Sequence, residues 1–178
     1  MVSMTLSYKQ KIKSILYATL CISICILLLC LLNIMTTKYL IYNPTKSEKQ
    51  GYYIKIKADD IGYLKIYQIS IPSTHIDMLH KLGLPTHIHS LLKTVVAKSQ
   101  DVINVTSKGV LINNQLYPNS RGKLVARGVI LHPIPIGYHH VLKENEYWVM
   151  GRTENSFDSR YFGVITQSQI LNQVVFLF

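Results

Sequence analysis

The chain has 178 residues, 48% of them hydrophobic, and carries 19 lysines and arginines against 9 aspartates and glutamates, a net charge of +10. That length suits one compact domain plus a short additional element and excludes a second large domain. The basic excess invites a nucleic-acid role. The lysines are scattered, however, with no aromatic interleaving and no binding motif, so a solvated surface near anionic lipid headgroups accounts for them better.

From Ser14 to Thr37 no residue is charged, and Ile15 to Ile34 is mostly Leu, Ile, Cys and Ala. This is about the ~20 residues a helix needs to cross the hydrocarbon layer. A cleaved signal peptide would have an apolar core of only ~7–15 residues and a small-x-small cleavage site, which Asn33-Ile34-Met35 does not provide. An uncleaved transmembrane anchor is therefore the expectation. Lys9, Lys11 and Lys13 precede the span and no acid appears before Glu48, which keeps residues 1–13 in the cytoplasm and exports residues 38–178. Cys21, Cys25 and Cys30 all lie inside the span, so the exported part has no disulfide and depends on core packing.

Beyond the anchor the periodicity is that of strands. Ile54 and Ile56 alternate with Lys55 and Lys57; Leu64 and Ile66, then Ile69 and Ile71, follow. Asp59-Asp60-Ile61-Gly62 supplies turn chemistry between them, so a hairpin is expected over Tyr53 to Pro72. Ile76, Leu79 and Leu82 recur at intervals of three, predicting one short helix over Thr74 to Leu82 closed by Gly83 and Pro85. Leu91 to Ala97, Val102 to Val105 and Gly109 to Ile112 read as core strands, with Asn113-Asn114 as a turn. Gly128 to Ile136, Tyr147 to Met150 and Gln173 to Phe178 add further β segments. The exported domain is mainly β.

Seven histidines raise the question of a metal. His87/His89 and His139/His140 are close enough in sequence to share an ion, but no HExxH motif or carboxylate cluster accompanies them, and neither a metal nor a cofactor is expected.

Lys93 is the residue whose setting suggests chemistry. On a strand, Leu91, Lys93, Val95 and Ala97 share one face. Burial there would disfavour the ammonium and leave an amine able to take a proton from a hydroxyl. The competing reading is a lysine that snorkels from a strand edge. Ser47, in the polar loop Asn43-Pro44-Thr45-Lys46-Ser47-Glu48-Lys49-Gln50-Gly51, reads by itself as an ordinary loop residue.

The C-terminal stretch Ser156-Phe157-Asp158-Ser159-Arg160-Tyr161-Phe162-Gly163 changes that balance. It resembles a signature of membrane-bound serine/lysine signal peptidases, in particular the TraF-type branch of conjugative transfer. The resemblance is collinear over nearly the whole exported part: Asn43, Thr45, Ser47, Gly51 and Tyr53 just after the anchor; then Lys93 in its apolar strand; then Asp101, Val102, Gly109, Val110 and Asn113. It implies a signal-peptidase-like, β-rich catalytic domain over 38–178 behind one N-terminal transmembrane helix at 14–37.

The same resemblance implies Ser47 as nucleophile and Lys93 as general base, with Thr45 adding a hydroxyl to the oxyanion site. Ser156 would orient the lysine amine, and Asp158 and Arg160 would pair to hold the signature loop. As an ordinary surface ion pair, Asp158–Arg160 would contribute only ~0–1 kcal/mol. The chain departs from the family pattern at Lys49, where proline is usual, at Thr94, where arginine follows the lysine, and at Ser99-Gln100, where Pro-Gly is usual.

The implied activity is an endopeptidase of the bacterial inner membrane. It acts on a membrane-inserted precursor, a conjugative pilin or type IV secretion substrate, by hydrolysis or by cyclisation, with partners from a secretion machine. A general type I signal peptidase and an inactive, membrane-anchored assembly protein are the alternatives. Ser47 lies about ten residues beyond the span, and an extended chain covers at most ~3.3–3.6 Å per residue, which holds it near the membrane surface.

Overall fold

The structure is a computed structural model and describes residues 2–178. It divides into two units, Met1–Leu40 and Ile41–Phe178. The first is a single helix, α1 (Val2–Tyr39), whose stretch Gln10–Tyr39 is long and apolar enough to cross a bilayer. A helix satisfies its backbone N–H and C=O groups within the segment, which is what a hydrocarbon environment would demand.

The second unit is built from three sheets. The largest has seven strands in the order β1-β2-β13-β3-β4-β11-β12. These are β1 (Leu40–Asn43), β2 (Gly51–Ile56), β3 (Ile66–Ser70), β4 (Ser90–Ala97), β11 (Glu146–Met150), β12 (Ile165–Thr166) and β13 (Ile170–Phe176). A four-stranded sheet runs β10-β5-β6-β7, from β5 (Val102–Thr106), β6 (Gly109–Ile112), β7 (Gln115–Leu116) and β10 (His139–Val141). Finally, β8 (Val125–Ala126) and β9 (Val129–Ile130) form a two-stranded ribbon. The expectation of a β-rich domain is met.

Helical content of this unit is small. A 3-10 turn at Ser73–His75 leads into α2 (Ile76–Lys81), and Gly83 follows with φ of +94°, so the short helix and its glycine stop fall where the sequence places them. The signature stretch contributes the one-turn helix α3 (Ser159–Phe162). Asn113 and Asn114 both adopt positive φ, 51° and 67°, and turn β6 into β7. Asparagine tolerates this left-handed region better than other non-glycine residues.

The expected hairpin over Tyr53 to Pro72 does not form. Strands β2 and β3 both exist, but β13 lies between them and pairs antiparallel with each. The connection over residues 57–65 is long enough to step across an intervening strand, since strands lie only ~4.8 Å apart. Inserting β13 buries Val174 against Tyr53 and Leu92, apolar contact a two-stranded hairpin would forgo. The segment Gly128 to Ile136 is likewise strand only at Val129–Ile130.

Packing on the two faces of the large sheet fixes the strand that carries Lys93. Ile61, Tyr67, Ile69, Val95, Tyr147, Val149 and Ile165 form one buried cluster, and Val96, Ala97, Ile103, Val110, Leu142, Trp148 and Met150 another. A third joins Ile71, Leu79 and Leu131 to Phe157 and Tyr161 of the signature stretch. Strand β4 is central, with Tyr67 of β3 opposite Lys93, and its pairing with β11 runs from Ala97 to Thr94. Lys93 is therefore held by a strand bonded on both sides.

Candidate active site

Two loops and one strand converge on Lys93. The first loop connects β1 to β2 and is organised by Asn43, whose side chain is buried. Its amide Nδ2 donates to the carbonyls of Thr45 at 3.0 Å and Lys49 at 3.1 Å, while its Oδ1 accepts from the Thr45 amide at 3.2 Å and the Thr45 hydroxyl at 2.9 Å. Two carbonyl acceptors for Nδ2 fix which way the amide points. Tyr53 donates its hydroxyl to the Lys49 carbonyl at 2.7 Å, and Gln50 donates to the Pro44 carbonyl at 2.7 Å. The Lys49 ammonium lies 3.8 Å above the Phe176 ring, so the lysine in place of the family's proline is itself anchored.

This loop presents Ser47 to Lys93. The Ser47 Oγ lies 3.1 Å from Lys93 Nζ, and Nζ also donates to the Leu92 carbonyl at 2.9 Å. Thr45 Oγ1 is 2.9 Å from Ser47 Oγ. Since the Thr45 proton is directed to Asn43, Ser47 is the donor in that contact, and its hydroxyl needs only to turn to aim its proton at Nζ.

Lys93 is 2% exposed, and burial pulls its pKa from the ordinary 10.5 to about 8; the Asp158 and Glu48 carboxylates oppose that fall and Arg160 assists it. Desolvation dominates because the ammonium loses its water and gains no carboxylate partner within bonding distance. The snorkelling alternative does not describe this side chain.

The signature stretch forms the second loop. Asp158 is fully buried and Arg160 is 2% exposed, so their pair is no surface contact. Arg160 Nε donates to Asp158 Oδ1 at 2.8 Å and Nη2 to Oδ2 at 2.7 Å, a two-point fork. The rest of the guanidinium donates to the carbonyls of Asn119 at 2.9 Å, Glu154 at 3.0 Å, Thr153 at 3.0 Å and Ser156 at 2.9 Å. Asp158 Oδ2 accepts the Gly151 amide at 2.9 Å.

The Arg152 amide donates to the Ser47 carbonyl at 2.7 Å, tying the two loops together. Gly151 permits the approach, because a Cβ there would collide with Ser156 Oγ and crowd the Ser47 carbonyl.

Ser156 is placed differently from expectation. It lines the same cleft as Lys93 and is buried, but its Oγ has no hydrogen-bond partner among the described residues, and the Lys93 amine takes its orientation from the Leu92 carbonyl. Thr45, Ser47, Lys93, Asp158 and Arg160 lie together around this point. Glu48, to which the sequence assigns no role, is 2% exposed. Its only early signal is position: it is the first acid in the chain and follows Ser47 directly.

A cleft of about 830 Å³ opens over the pair, walled by Leu79, Leu82, Leu84, Leu91, Leu131 and Phe157, with Lys46, Lys123 and Arg127 among the polar residues that line it. A smaller recess of about 220 Å³, between Asn43–Thr45 and His87–Leu92, meets it at Ser47. An extended peptide laid across Ser47 would reach into both. His139 contacts Asn104 at 2.6 Å and His140 pairs with Glu146 at 2.7 Å, and among the described residues no group of three or more His, Cys, Asp or Glu side chains forms.

Residues 12–178 match the family described as "Signal peptidase, peptidase S26". No curated protein matches the chain. Among solved structures it is similar to a signal peptidase I from Enterococcus faecalis V583, at 16% identity and a TM-score of 0.38, covering 66% of this chain and 98% of that one.

Proposed function

Because the chain belongs to the signal peptidase S26 family, we propose that it is a membrane-anchored serine endopeptidase whose nucleophile is Ser47 and whose general base is Lys93. The observation that carries this reading is a buried lysine, its pKa lowered to about 8, with its amine 3.1 Å from a serine hydroxyl at the floor of a peptide-sized cleft.

The neutral amine takes the Ser47 proton as Oγ attacks the scissile carbonyl; the same ammonium returns it to the leaving amine as the C–N bond breaks. A water activated by Lys93 then hydrolyses the acyl-enzyme. Capture by the substrate's own amine in place of water would give a cyclic product. The Thr45 hydroxyl, turned from Asn43 towards the developing oxyanion, serves it alongside the Ser47 amide, and the Asp158–Arg160 fork holds the loop behind the lysine.

Residues 14–37 anchor the chain in the bacterial inner membrane with the N-terminus in the cytoplasm, and 38–178 work on the outer side. There the nucleophile stands where a membrane-inserted precursor emerges. The signature Ser156 to Gly163 favours the TraF-type branch, and with it a conjugative pilin or type IV secretion precursor. Reconstituted full-length protein offered a pilin precursor and an ordinary secretory precursor should process the first. Cleavage of the secretory precursor, with rescue of cells lacking their general enzyme, would instead favour a type I signal peptidase. If Ser47→Ala and Lys93→Ala leave biological function intact at normal protein levels, the chain is an inactive assembly protein.

A further inference from the structure

The peptidase mechanism leaves one buried ionisable group next to the dyad unused. Glu48 follows Ser47 and is almost fully enclosed. One carboxyl oxygen, Oε1, accepts the Thr94 hydroxyl at 2.9 Å, and the other, Oε2, is buried with no partner among the described residues. Thr94 follows Lys93. Consecutive loop residues thus contact consecutive strand residues: Ser47 meets Lys93, and Glu48 meets Thr94. Side chains alternate along β4, so the two contacts grip the strand from its two faces. Among bonds that join the loop to β4, Lys93–Ser47 is the one that must loosen and re-form in each turnover, whereas Glu48–Thr94 takes no part in proton transfer.

We propose that Glu48 is a positioning residue: its hydrogen bond from Thr94 clamps the loop carrying Ser47 to the strand carrying Lys93 and so sets the separation of nucleophile and base. The inference rests on the Ser47–Lys93 reading.

Glu48 sits among charged and buried neighbours. Burial raises its pKa and Asp158 raises it further, against the lowering effects of Thr94, Lys93 and Arg152; Tyr53 and Tyr117 also lie within its field. The fall of the Lys93 pKa to about 8 occurs against the opposing pull of Asp158 and Glu48.

Two readouts test the clamp on the full-length protein in detergent. The first is cleavage of a fluorogenic peptide spanning the mapped site of a processed precursor. The second is amide hydrogen exchange over residues 43–50, which needs no substrate. Thr94→Val and Glu48→Ala should lower kcat roughly 10- to 100-fold with KM nearly unchanged, the scale of a ~1 Å misplacement of reacting groups, and should speed exchange of the loop. Thr94→Ser and Glu48→Gln, which keep the hydrogen bond, should bring both readouts back towards wild type.

A kcat for Thr94→Val within twofold of wild type would overturn the proposal. So would a Glu48→Gln variant as slow as Glu48→Ala, since that would assign the acid a proton-transfer role. If the wild type cleaves no precursor, the peptidase reading fails, and the exchange rates alone decide whether the tether holds the loop.

Discussion

Replacing Lys93 by methionine should make the protein more stable at neutral pH while abolishing its chemistry. Methionine has similar length and no charge. The lysine pKa falls from 10.5 to about 8 on folding, a gap of about 2.5 pH units, worth about 3 kcal/mol. The sign follows from proton binding. Below pH 8 the lysine is charged in both states and the folded protein bears the whole desolvation cost. Between pH 8 and 10.5 the unfolded chain binds more protons, so stability rises; above 10.5 the amine is neutral in both states and the cost is gone.

The substitution also removes two hydrogen bonds, to Leu92 and Ser47, at about 1 kcal/mol each. Lys93→Met should therefore gain about 1–2 kcal/mol at pH 7 and lose about as much near pH 10.5. At ~4 °C per kcal/mol for a domain of this size, Tm should rise by about 4–8 °C at pH 7. Trp148, the single tryptophan and fully buried, reports unfolding by fluorescence. Groups distant from position 93 titrate alike in both proteins and cancel, while Glu48, whose pKa Lys93 lowers, moves up in the variant. A variant destabilised equally at pH 7 and pH 10.5 would refute the claim that the lysine is held against its charge.

Peptidase activity should rise with pH and reach half its plateau near pH 8, where the Lys93 amine becomes half neutral; initial rates with the protein folded throughout would measure it, and a flat profile would argue against this base. Arg160→Ala should cost about 3–5 kcal/mol, because it strands the buried Asp158 carboxylate; chemical denaturation followed by Trp148 measures the loss. Thr45→Val should lower kcat by about 10²-fold or less with little change in KM, as expected for one oxyanion donor of two, and steady-state kinetics would separate the two constants.

What the sequence revealed depended on the range of the interaction. Strand β4 was visible in the alternation of Leu91, Lys93, Val95 and Ala97, and α2 in the spacing of Ile76, Leu79 and Leu82, because both patterns are local. The insertion of β13 between β2 and β3 was not visible, since it joins residues more than a hundred apart and no turn signal encodes it. The meeting of Ser47 with Lys93 came from resemblance alone; spacing could not supply it. The pairing of Asp158 with Arg160 follows from the resemblance, but the burial of the pair, with Arg160 donating to the carbonyls of Asn119, Thr153, Glu154 and Ser156, does not show in a polar sequence.

Glu48 was missed for a similar reason. An acid in a loop rich in Lys, Ser and Gln reads as solvated, and only the fold reveals that Thr94 covers it. Thr94 stands out in the sequence only as a departure from the arginine that the resemblance leads one to expect.

The most direct test of the dyad is mass spectrometry of a pilin precursor co-expressed with wild type, Ser47→Ala or Lys93→Ala at matched membrane levels. A mass loss confined to wild type is the predicted result, with a further loss of one water if the product is cyclic. Processing that survives both substitutions would contradict the assignment of Ser47 and Lys93.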